Sequence, residues 1–185
     1  MLPKTGMYYD INDLPIDPAT SGRTDLIESD RGANVKISVG SDERNAVTDA
    51  VVSELRRRGH ELRLYGPLAD VPEGWPKVAR QVAEDVAGEQ ADEGVLFCWT
   101  GTGVSMAANK VVGVRAALCA DAETARGARR WNDANLLCLS LRNTSEAVAK
   151  EILEAWFSTA YQPNPEDDAH LRELKALEAE HQPPR

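Results

Sequence analysis

Cys98 ends an apolar run, Gly94-Val-Leu-Phe-Cys98, and a turn of glycine and threonine, Trp99-Thr-Gly-Thr-Gly103, follows it directly. Beyond it, the stretch from Ser105 to Lys110 is compatible with a helix. Such a turn aims backbone N–H groups and a helix N-terminus at one point in space. A thiol held there has a reason to lose its proton. An oxygen that gains charge during a reaction finds donors waiting. The bland alternative is a structural turn behind a small core residue. Cys119 and Cys138, set among Leu118, Leu137 and Leu139, read as core thiols of that bland kind.

The turn does not read as a nucleotide loop. Met106 stands where the dinucleotide fingerprint needs a third glycine or an alanine, and no Gly-Lys-Ser/Thr ending is present. The three cysteines and three histidines (His60, His170, His181) show no metal-ligand spacing, so neither metal nor cofactor is expected.

The elements that position these residues alternate along the chain. Val35–Val39, Glu61–Tyr65, Gly94–Cys98, Val114–Cys119 and Asn135–Ser140 read as strands. Helical spacing covers 45–58, the Val78–Val86 region, Ser105–Lys110, 121–131 and Thr144–Phe157, the last with Thr144 or Ser145 as cap. This order predicts an α/β fold, a parallel five-stranded sheet with helices on both faces. Ligands bind such sheets beyond the carboxyl ends of the strands, where Asp42, Cys98 and the loops after Cys119 and Ser140 fall. Residues 1–34 read as an N-terminal arm, 35–160 as the domain, and 161–185 as a C-terminal tail. The tail carries a short helix with Leu171, Leu174 and Leu177 in one stripe, expected to dock on a neighbour or a second subunit.

With 185 residues and 42% hydrophobic composition, the chain can build one sizeable core. A net charge of −9 argues against general affinity for nucleic acid or anionic membrane. No run approaches the roughly 20 apolar residues of a membrane span, and no signal peptide is visible. An odd cysteine count with wide spacing fits a reducing, cytoplasmic setting.

Cys98-Trp-Thr-Gly-Thr-Gly103, Ala107-Ala-Asn-Lys110, Val114-Arg-Ala-Ala-Leu-Cys119, Asn132-Asp-Ala-Asn135 and Gly40-Ser-Asp42 occur together and in order. On these motifs the chain, from about Val35 to Thr159, resembles the ribose-5-phosphate isomerase B and galactose-6-phosphate isomerase family. The resemblance implies a three-layer Rossmann-like (flavodoxin-like) sheet and a homodimer, or a tetramer, with sites near the subunit interface. It implies metal-free aldose–ketose isomerisation of a small sugar or sugar phosphate through a cis-enediol. Cys98 would move the proton between C1 and C2, and Thr100 with the N–H groups of Gly101, Thr102 and Gly103 would stabilise the enediolate. Asp42, Glu43, Trp131 and Asn132 would line the substrate, and Arg142 matches a phosphate ligand.

The departures from the family pattern are specific. Glu43 and Trp131 stand where histidines are usual, and tryptophan cannot accept the proton that ring opening requires. Gln162-Pro-Asn-Pro-Glu-Asp-Asp168 replaces an arginine-rich segment that grips phosphate, and its carboxylates would repel phosphate. Trp75 stands where tyrosine is common. Arg126 or Arg129 could supply a substitute clamp. The expected function is isomerisation of a non-standard substrate: a short open-chain sugar, or a sugar that is unphosphorylated or carries another polar tail. The competing reading is a sugar-binding or regulatory protein without turnover. A thiol hydrolase is disfavoured because no core histidine is available to pair with Cys98.

Overall fold

Alternation along the strands decides which side of the sheet each residue meets. The computed structural model describes residues 35–181, and the expected N-terminal arm lies outside them. The elements run β1 (Lys36–Ser41), α1 (Ala46–Arg57), β2 (Glu61–Tyr65), α2 (Trp75–Ala87), β3 (Glu93–Cys98), α3 (Thr102–Ala108), β4 (Ala116–Leu118), α4 (Ala122–Asn132), β5 (Leu136–Ser140), α5 (Glu146–Ser158) and α6 (Pro165–Glu180). The five strands form one parallel sheet in the order β2-β1-β3-β5-β4. Among the described residues no helix is long and apolar enough to cross a membrane.

Val95 and Phe97 of β3 and Leu137 and Leu139 of β5 face one layer, with Leu55 of α1, Ala125 of α4 and Trp156 of α5. Leu96 and Cys98, with Leu136 and Cys138, face the other, against Val78 and Val82 of α2 and Val104 of α3. The three-layer Rossmann-like arrangement is therefore present, and Cys119 and Cys138 are core thiols at 1% and 0% exposure. Burial pushes the Cys119 thiol up to about 12.

Several boundaries differ from expectation, among them α3, which starts at Thr102 and not Ser105 and ends at Ala108. β4 is shorter because it is an edge strand. The Arg115 N–H donates to the Asn135 side chain at 2.8 Å instead of to a strand. α6 begins earlier, at Pro165. The Asn164 side chain caps it by accepting from the Asp167 N–H at 2.9 Å, and Pro165 sits in the first turn. Glu166, Asp167 and Asp168 thus occupy a first turn that favours negative charge. The leucine stripe of α6 stays largely open: Leu174 and Leu177 are 43% and 48% exposed.

One charged cluster ties α4 and α5 to the sheet. The Arg129 guanidinium lies 2.8 Å from the Glu93 carboxylate, donates to the carbonyls of Ala134 and Thr159, and packs over the Trp156 ring. The Trp156 indole N–H donates to the other Glu93 oxygen. Burial raises the Glu93 carboxyl while Arg129 and Trp156 hold it down. Arg129 is consumed by this cluster and is not free to grip a ligand. Arg126 pairs with Glu123 on its own helix.

Replacing Arg129 by Met leaves the Glu93 charge buried without its cation. The expected loss is roughly 3 kcal/mol in unfolding free energy, measured by urea titration at neutral pH.

His60 packs on Phe157 with ring centroids 4.8 Å apart, and both ring nitrogens are buried without a hydrogen-bond partner. Burial, and then the Arg58 guanidinium, push the imidazole below its ordinary value of 6.5. The unfolded chain binds that proton between the lowered value and 6.5, so stability falls as pH drops through this window and levels off beneath it. His60→Phe is expected to flatten this part of the stability profile, read as urea midpoints between pH 7 and 5.

Candidate active site

The turn after β3 is built from backbone geometry first. Gly101 has φ +74°, a left-handed conformation, and an added Cβ would lie 2.5 Å from Leu118 Cδ1 and 3.0 Å from the Leu139 carbonyl carbon. At Gly103 the constraint is packing: a Cβ there would press on the Trp75 ring at 3.2 Å. The Cys98 carbonyl accepts from the Gly101 N–H at 3.2 Å and the Leu141 N–H at 3.0 Å. The Trp99 carbonyl accepts from the Arg142 N–H and the Ser140 hydroxyl, each at 3.0 Å. These bonds lock the turn to the loop leaving β5.

Cys98 itself is 5% exposed at the mouth of the α2–α3 layer. The Thr100 and Thr102 hydroxyls share a 2.6 Å hydrogen bond. Trp99 is 55% exposed beside the thiol. The first N–H groups of α3, those of Thr102 and Gly103 among them, have no partner within the helix.

Asp42 is the first residue beyond β1. Ser41 pairs in register with Phe97, so Asp42 stands beside Cys98 on the neighbouring strand, about 4.8 Å away in the sheet. From β1 the chain crosses to β2 on one side, and β3 lies on the other. The gap between them is the switch point where open α/β sheets bind ligands. One Asp42 carboxylate oxygen is buried without a hydrogen-bond partner. Burial is the main cause of its raised pKa, and the adjacent Glu43 adds to it. Glu43 is exposed. Arg142 is also exposed, and among the described residues its guanidinium makes no ion pair.

Trp131 and Asn132 are elsewhere. α4 runs back against the strands, so its last residues lie at the amino ends of the sheet, next to the start of β5. Both are exposed there, Trp131 at 56%. A single chain therefore gathers Asp42, Glu43, Cys98, Thr100, Gly101, Thr102, Gly103 and Arg142 at one end of the sheet and sets Trp131 and Asn132 at the other.

The second end has its own concavity, a groove of about 550 Å³ between α6 and the segment preceding β4. Arg115, Asp133, Asp168, Arg172 and Lys175 line it with Val112 and Leu171. Arg115 is bound to Asp133 at 2.7 Å, and Asp168 accepts from the Tyr161 hydroxyl at 2.7 Å. Arg172 and Lys175 make no ion pair among the described residues, and their spacing of three on α6 is the sequence signal that marks them as neighbours. Among the described residues, no group of three or more His, Cys, Asp or Glu side chains is arranged to hold a metal.

Residues 37–176 match the Ribose/Galactose Isomerase family. The chain is 35% identical to ribose-5-phosphate isomerase B of Escherichia coli (strain K12) over 145 residues, covering 78% of this chain and 95% of that protein. It is 33% identical to a D-erythrulose-4-phosphate isomerase of Pectobacterium atrosepticum (strain SCRI 1043), covering 69% and 86%. A solved structure of Clostridium thermocellum ribose-5-phosphate isomerase B superposes with a TM-score of 0.75 at 31% identity, covering 80% of this chain and 99% of that one.

Gly101→Ala places a side chain in left-handed backbone against Leu118 and Leu139. Its expected cost is about 2 kcal/mol or more. A urea titration giving less than about 0.5 kcal/mol would mean that the turn relaxes freely.

Proposed function

Because this chain belongs to the ribose/galactose isomerase family, we propose that it is an aldose–ketose isomerase acting on a short, open-chain sugar phosphate. The observation that carries the reaction type is the Cys98 thiol at the switch point, backed by the turn of Gly101–Gly103. Cys98 takes a proton from C2 of the aldose and returns it to C1 of the ketose through a cis-enediol. A thiol suits this step because protein surroundings can tune it toward working pH. The N–H groups of Thr102 and Gly103, with the Thr100 hydroxyl, stabilise the enediolate oxygen.

The substrate class rests on Trp131. Opening a sugar ring needs a group that accepts and donates a proton, and an indole does neither at an oxygen. A four-carbon sugar phosphorylated on O4 has no free terminal hydroxyl with which to close a ring, so it needs no such group. Similarity to a D-erythrulose-4-phosphate isomerase is consistent with a substrate of this size.

Trp131 and Asn132 reach the same substrate as Cys98 only if two copies of the chain combine. One copy then presents its Cys98 end to the partner's Trp131 end. The exposed side chains of Trp75, Trp99 and Leu118 at the first end, and of Trp131 at the second, are the kind of apolar surface such an interface covers. The groove cations Arg172 and Lys175 then face the anionic tail, while the Asp167 and Asp168 carboxylates of the α6 first turn are engaged in local hydrogen bonds with Asn164 and Tyr161.

In deuterated water the protein is expected to exchange the C2 hydrogen of D-erythrose 4-phosphate and convert it to D-erythrulose 4-phosphate. D-ribose 5-phosphate should be turned over weakly or not at all. Cys98→Ala should lower conversion by roughly 10²–10⁴. Binding of these sugars without exchange at C2 would support a sensor instead. Turnover of D-ribose 5-phosphate at ordinary enzyme efficiency would overturn the substrate assignment.

A further inference from the structure

Isomerisation moves two protons. One passes between carbons and the other between oxygens, and a single thiol accounts only for the first. We infer that Asp42 is the second catalytic acid–base, carrying the hydroxyl proton between O1 and O2 of the substrate. This rests on the isomerase reading above and adds a reacting group to it.

The geometry singles out Asp42 among the polar groups at that end of the sheet. The Ser41 hydroxyl accepts from the Glu43 N–H at 3.2 Å. The Ser140 hydroxyl donates to the Trp99 carbonyl. Thr100 and Thr102 share one hydrogen bond, which leaves a hydroxyl hydrogen to stabilise the enediolate, but an alcohol is too weak an acid to serve as the acid–base group. Asp121 is engaged as the cap of α4, accepting from the Thr124 N–H at 2.7 Å. Among the described residues, Asp42 alone combines a buried, uncommitted oxygen with a place beside Cys98 across the switch point. A buried polar atom left without a partner is costly, and a substrate hydroxyl delivered to that point would satisfy it. Its two oxygens suit a group that serves adjacent O1 and O2. The burial that leaves the oxygen bare also favours its protonated form.

The steps balance. The Cys98 thiolate removes the proton from C2, the electron pair of that C–H bond forms the C1–C2 double bond, and the carbonyl electrons move to O1. Protonated Asp42 gives its proton to O1, producing the neutral cis-enediol. The Asp42 carboxylate then takes the proton from the O2 hydroxyl as the carbonyl forms at C2, and the Cys98 thiol returns its proton to C1. Thiolate and protonated carboxyl are both restored, and no co-reactant is needed.

Because the turn N–H groups can hold a negative enediolate, removing Asp42 should affect the carbon step less than the oxygen step. The experiment compares C2 hydrogen exchange with conversion, using D-erythrose 4-phosphate and D-ribose 5-phosphate in deuterated water. Asp42→Asn is expected to lower kcat for conversion about 10²–10⁴-fold. Exchange at C2 should fall far less, so the ratio of exchange to conversion rises at least about tenfold. Asp42→Glu, which keeps a carboxyl, should recover part of the conversion and bring that ratio back toward wild type. It also carries the test should the Asp42→Asn protein melt early. An unchanged ratio, with KM raised or with exchange and conversion falling together, would overturn the assignment and leave Asp42 as a binding group. Wild-type protein that neither exchanges nor converts either sugar would overturn the isomerase reading itself.

Discussion

Two backbone carbonyls at the end of β3 hold this site together. The Cys98 carbonyl serves Gly101 and Leu141 at once, and the Trp99 carbonyl serves Arg142 and Ser140. Together they bind the turn after β3 to the loop after β5, so the thiol, the free N–H groups of the turn and Arg142 share one rigid frame. The frame closes only because Gly101 is left-handed and lacks a side chain where Leu118 and Leu139 already pack. Trp75 presses on the same turn at Gly103. The cost of ordering these groups is met by folding and not by substrate, which is what preorganised stabilisation of a developing charge requires.

The rest of the molecule follows from the direction of its strands. In a parallel sheet every strand ends on the same side and every crossover helix returns to the other. Cys98 and Asp42 end strands, whereas Trp131 and Asn132 end a helix that comes back. The separation is about the length of a strand, with about 3.3 Å of rise for each residue. The Glu93–Arg129–Trp156 cluster makes it rigid by fastening the end of α4 and the end of α5 to the start of β3. Arg129 is therefore a structural cation, and Arg172 and Lys175 of α6, which line the groove at that end, make no ion pair among the described residues.

Much of the site was legible in the chain because strand, turn and helix are local. The apolar run into Cys98, the glycine turn and the strand ending before Asp42 all lie within a few residues of the features that reveal them. The α/β order was legible for the same reason. Other features were present in the chain but harder to read. Asn164-Pro165 followed by three carboxylates is an N-terminal helix signal. Beside Pro163, and against a family arginine segment, it reads instead as a broken acidic stretch. The pairing of Arg129 with Glu93 and Trp156 had no local signal at all, since its members lie 36 and 27 positions apart in the chain.

By itself the sequence determined the alternation of strands and helices, the family motifs and the kinds of groups available: one thiol before a glycine turn, a carboxylate after the first strand, an indole where a proton acceptor is usual. Tertiary structure alone decided which of these meet. It set β1 beside β3, bringing Asp42 next to Cys98 with a buried oxygen unclaimed, and it sent Trp131 and Asn132 to the far end. The physical reason lies in the range of the interactions. Periodicity, turn conformation and capping act over a few residues and are written locally. Strand order and the burial of a single carboxylate oxygen depend on packing between segments distant in the chain, and no local pattern encodes them.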